Sequence, residues 1–108
     1  MSEHSSETPV LDLITAMTAD SLEATTLDAE SAMLVRIAAL VAVDAPPASY
    51  LMNLGAASEL GIGEDEVRSV LTAIAPIVGT AKVVSATGNI LRALGFALEM
   101  AEMEAGED

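Results

Sequence analysis

Six polar side chains interrupt otherwise apolar helical stretches, and they are the residues with which this sequence could do chemistry. Tyr50, Asn53 and Arg36 form the candidate catalytic set. A carboxamide can orient a substrate, and a guanidinium can hold an anion facing a cavity. Ser49, Lys82 and Asn89 are candidate ligand-binding groups. Together they would suit a cofactor-free lyase or isomerase, with no metal and no organic cofactor taking part. Each also has a plainer role open to it. Arg36 can snorkel or pair with Glu30, Asp44 or Glu59, because buried charges are usually paired. Lys82 can simply lie in solvent, and buried polar side chains are in general structural. Asn53 cannot act as a general base near neutral pH. His4, the single histidine, sits in a polar N-terminal stretch that suits neither a ligand nor a catalytic role. The chain has no cysteine, which removes disulfides, zinc–thiolate sites, iron–sulfur clusters and thiol catalysis.

The elements that must position these groups are helices. Asp44 to Asn53 separates two alanine-rich apolar runs, and Pro46-Pro47 within it suits a first helical turn, where the missing N–H would be unpaired anyway. The helix it opens should end at Gly61, a residue free to take the left-handed conformation. Upstream, Pro9 opens a first helix with Val10, Leu11, Leu13, Ile14 and Met17 at helical spacing. Ala19 to Thr26 either continues that helix or forms a separate turn. Asp28 is the expected N-cap of a second helix to about Val43, with Leu27 as a possible staple. That helix is apolar nearly all round, which predicts burial on most sides. Downstream, Gly63 precedes Glu64-Asp65-Glu66, acids that complement the positive end of a fourth helix. Its apolar face is read as Val67, Val70, Leu71, Ile74 and Ile77, with Pro76 weakening its end before Gly79. Thr80 is the expected cap of a fifth helix to about Met103. Ser85, Gly88, Arg92 and Gly95 form a nearly bulk-free stripe on it, which predicts close approach of another helix from this chain or a neighbour. No strand alternation appears.

The expectation is an all-α bundle of about five to six helices: a disordered tail over 1–8, one domain over 9–103, and an acidic tail over 104–108. Helices two to five should form its compact bulk. The apolar fraction is 52% but aromatics are only 2%, so the core is built from small side chains that bury little area each. That points to self-association. Seventeen acids against four bases give a net charge of −13, which argues against nucleic acid and anionic membranes. The apolar stretch from Val70 to Leu98 is broken by Pro76, Gly79, Gly88 and Gly95 and lacks basic flanks, so no span is expected. With no basic and apolar leader either, the expected setting is the cytoplasm.

The order of motifs resembles the carboxymuconolactone decarboxylase family, which includes the alkylhydroperoxidase-type proteins. The resemblance runs over about Leu27 to Leu94. It is carried by Leu27-Asp28, then Leu34 with Ala38-Ala39-Leu40, the break at Asp44 to Pro47, and Ala56-Ala57 with Leu60-Gly61. Gly63-Glu64-Asp65-Glu66-Val67, Val70-Leu71, Ala75, Gly79-Thr80-Ala81, Ala86 and Leu94 complete it. The resemblance implies a helical subunit that assembles into trimers or hexamers. The family's redox branch has a C-x-x-C pair at the start of the third helix, a His four residues on, and a Glu from the second helix. Depending on register, those positions hold Met33, Ala45, Ala48 and Met52, or Leu34, Pro46, Ser49 and Asn53. Neither choice supplies a thiol, a histidine or the carboxylate, so thiol peroxidase activity is not expected. The decarboxylase branch keeps the His, which Met52 or Asn53 replaces here.

Two functions follow. The favoured one is a non-redox, homo-oligomeric protein of this family that binds a ligand or partner without catalysis. The alternative is the cofactor-free lyase or isomerase, with a pocket rebuilt at the start of helix three.

Overall fold

A computed structural model describes the backbone of residues 7–106 and the side chains of residues 7–95. The described residues form five α-helices and no strand: α1 Pro9–Ala24, α2 Ala29–Ala42, α3 Pro47–Glu59, α4 Glu64–Val78 and α5 Thr80–Gly106. Most of the expected tail at 1–8, including His4, lies outside the described residues, as do the side chains of the acidic end from Glu99 to Asp108. The helix of α5 continues past Met103, and α1 runs through Ala19 to Ala24 without a separate turn.

The junctions follow from local chemistry. Asp28 caps α2: its carboxylate accepts the Ser31 N–H at 2.7 Å and the Ser31 hydroxyl at 3.1 Å. That bonding holds the Asp28 carboxyl below its ordinary pKa of 3.8. The α3 end is a Schellman motif with Gly61 at φ +83°. Ile62 N–H reaches back to the Ala57 carbonyl and Gly61 N–H to that of Ser58, both at 3.0 Å. Ala57 and Ile62 then pack together in the core. At α4, Glu66 reaches back to the Gly63 N–H at 2.8 Å, one half of a capping box. α4 and α5 meet at a single residue, Gly79, with φ +92°. Thr80 is thus already helical and does not cap α5 from outside; the corner belongs to Gly79.

α2 to α5 make the packed body, with α3 against α5 and α2 against α4 as its main contacts. Two adjoining cores result. One gathers Val41, Ala45, Tyr50, Ala86, Ile90 and Ala93; the other gathers Met33, Ile37, Ala57 and Ile62. Val67 packs against both. Ala side chains supply half of the first core, and aliphatic side chains with Met33 fill the second. α2 is covered on most sides, as its composition predicts: Ala32, Met33, Ile37 and Val41 are buried and most of the rest are half-buried, with Val35 left 56% exposed. One expectation needs correction. Ile77 does not join the α4 core face and is 86% exposed; Val78 takes that place as the helix ends at the Gly79 corner.

α1 buries none of its residues and hardly touches the other helices.

Candidate functional site

α2 ends in a second Schellman motif, and the residue in its left-handed position is Asp44, at φ +55°. Ala45 N–H bonds to the Leu40 carbonyl at 2.9 Å and Asp44 N–H to the Val41 carbonyl at 3.1 Å. A non-glycine residue there carries strain, which the surroundings must offset. One face of α5 does so. Ser85 Oγ donates to Asp44 Oδ1 at 2.6 Å. One turn before it, Lys82 Nζ donates to the Ala42 carbonyl at 2.8 Å. One turn after it, Asn89 Nδ2 donates to the Ala45 carbonyl at 3.2 Å. Arg92 Nη1 in turn holds the Asn89 side-chain oxygen at 3.1 Å. Residues 82, 85, 89 and 92 lie three or four apart, so they share one helix face. An ammonium on the last carbonyls of α2 complements the negative end of that helix.

Tyr50 sits directly beneath this junction, packed with Val41, Ala45 and Ala86. Its ring is fully buried and, among the described residues, its hydroxyl has no hydrogen-bond partner. Burial, followed by the nearby Asp44 charge, pushes the Tyr50 phenol above its ordinary pKa of 10.0.

Of the six sequence-derived candidates, Tyr50, Lys82 and Asn89 therefore gather around the α2–α3 junction. Lys82 is exposed, yet its ammonium is tethered, so it is more than a solvated charge. Ser49 and Asn53 lie on the first turns of α3, where Asn53 Nδ2 bonds back to the Ser49 carbonyl at 2.8 Å. Arg36 is half-buried on α2. None of its expected partners reaches it: among the described residues the ion pairs are those of Arg68 with Glu64 at 3.2 Å and Asp65 at 3.4 Å, and Asp44 is bonded to Ser85 instead. Sequence reasoning missed Asp44 and Ser85 as members of the cluster. The available signal was an acid standing where a helix end ordinarily has glycine.

A groove of about 650 Å³ opens further along α3, between α3, α4 and α5. Leu54, Val67, Leu71, Ile90, Leu91 and Leu94 give it an apolar lining, with Ser58, Thr87, Glu64 and Arg68 at its edges. None of the six candidates lines it. Among the described residues, nothing makes the predicted close helix approach at the two glycines of the stripe. A Cβ on Gly95 would meet nothing within 4 Å, and one on Gly88 would meet only the Arg92 guanidinium. Among the described residues, no cluster of acids or histidines could hold a metal ion, and no helix is long and apolar enough to cross a membrane.

No protein-family model, curated protein or solved structure matches this chain.

Proposed function

We propose that this chain is a non-redox, cytoplasmic helical protein of carboxymuconolactone decarboxylase type that works by binding rather than catalysis and assembles as a trimer or hexamer. One observation carries the reading: three of the six candidate polar groups are committed to main-chain carbonyls. Asn53 serves Ser49, Lys82 serves Ala42 and Asn89 serves Ala45. A side chain spent on satisfying backbone is not free to move a proton or hold a substrate. The Tyr50 hydroxyl has no partner among the described residues, but it is sealed in the core. The largest surfaces open to a partner are apolar, in the α3–α4–α5 groove and on α1.

Two measurements test this. Native mass spectrometry should give a particle of three or six chains of 11.0 kDa; a homogeneous single chain would sink the assembly. Peroxide reduction with a dithiol reductant should stay at background, and clear protein-dependent turnover would overturn the non-redox reading.

A further inference from the structure

Resting on the reading of this chain as self-assembling, we infer that α1 is an exchange arm whose apolar face lies in the α3–α4–α5 groove of a second copy.

Val10, Leu13, Ile14 and Met17 stand at i, i+3, i+4 and i+7, the spacing of a helix stripe made to be buried. Each is between 42% and 68% exposed in its own chain. Asp12 and Glu23 lie on the opposite face of the same helix. A 16-residue helix is only marginally stable alone in water, so an arm of this length calls for a partner.

The chain itself says what kind of partner. α1 buries none of its 16 residues, and the groove is an uncovered apolar surface of the same chain, so a second copy brings to each surface the cover that it lacks.

The groove supplies the complementary surface. Leu54 from α3, Leu71 from α4, and Leu91 and Leu94 from α5 line it, the last two being 63% and 45% exposed. The same chain's α1 does not occupy it. The four residues between α1 and α2 are enough for the arm to swing outward: Thr25 and Asp28 are extended, at ψ 146° and 165°. Donor helix and acceptor groove are different surfaces, so the contact is heterologous. Contacts of this kind close into rings when the rotation between copies allows it.

The absence of cysteine makes a clean test possible. Met17→Cys and Leu94→Cys, prepared as separate full-length chains and mixed under mild oxidation, should give a disulfide-linked pair joining one variant to the other. A disulfide formed only when both substitutions are on one chain would mean that the arm folds back, and would overturn the inference. Light scattering gives the second arm of the test. Ile14→Glu with Met17→Glu, and separately Leu91→Glu, should each lower the particle toward a single chain while the helical circular dichroism of the body persists. Ile77→Glu, on exposed surface outside the groove, should leave the particle mass unchanged. If the arm and groove variants stay fully assembled, the exchange arm is wrong while self-assembly stands. If the unaltered protein is itself a single chain, both readings fail together.

Discussion

The Ser85 hydroxyl and the Asp44 carboxylate meet at 2.6 Å, fastening α5 to a residue that holds a left-handed backbone at the end of α2. The bond offsets strain that glycine would not have. Ser85→Ala should therefore lower the unfolding free energy by about 1 kcal/mol, the discount from a fully charged bond reflecting its exposure. Asp44→Ala loses the bond and keeps the strain, whereas Asp44→Gly loses both. Urea titration should find Asp44→Gly the more stable of the two by about 1 kcal/mol.

Tyr50 gives the opposite sign. Its buried hydroxyl has no partner among the described residues, so Tyr50→Phe should raise stability by about 1 kcal/mol. Removing the whole ring in Tyr50→Ala should cost about 3–5 kcal/mol, because the ring fills the main core. Folding raises the phenol's pKa above 10.0 through burial and then the Asp44 charge. The contribution is full below the unfolded value and is lost as pH rises through the higher folded one. Ultraviolet titration of this single tyrosine should show ionisation delayed until the protein unfolds in alkali, and Tyr50→Phe should resist alkaline unfolding better.

At the other end of the pH scale stands Asp28. Its folded pKa lies below 3.8, so the stability it contributes is present above that value and lost as pH falls through the folded one. Asp28→Ala should lower the urea midpoint at pH 7. The gap between variant and parent should narrow steadily when the titration is repeated in acid.

Two glycines should respond in opposite directions. Gly79→Ala places a side chain at φ +92° and should destabilise by about 1–2 kcal/mol. Gly95→Ala falls inside α5 with nothing within 4 Å and should stabilise the single chain by about 0.5–1 kcal/mol. Thermal melts of the two variants, side by side, check both.

The helices were legible because their ends carry residues whose conformational limits act locally. Proline at Pro9 and Pro47, aspartate at Asp28, and glycine at Gly61 and Gly79 each act over three or four residues, which a linear reading sees directly. The polar candidates were less legible. Lys82 and Asn89 serve carbonyls about forty residues away, and helix periodicity gives no hint of which distant backbone a side chain will satisfy. Ser85 was noticed only for its small size, as part of a glycine stripe, although its hydroxyl anchors the junction. Ile77 was misplaced although the repeat favours its neighbour: Val67, Leu71, Ile74 and Val78 stand at i, i+4, i+7 and i+11 on one face.

Val67 belongs to both cores at once. With one side chain keyed into each cluster, neither can loosen without withdrawing support from the other. The body from α2 to α5 should consequently unfold as one cooperative unit. Amide hydrogen exchange at Met33 and at Ile90, drawn from different cores, should report the same opening free energy.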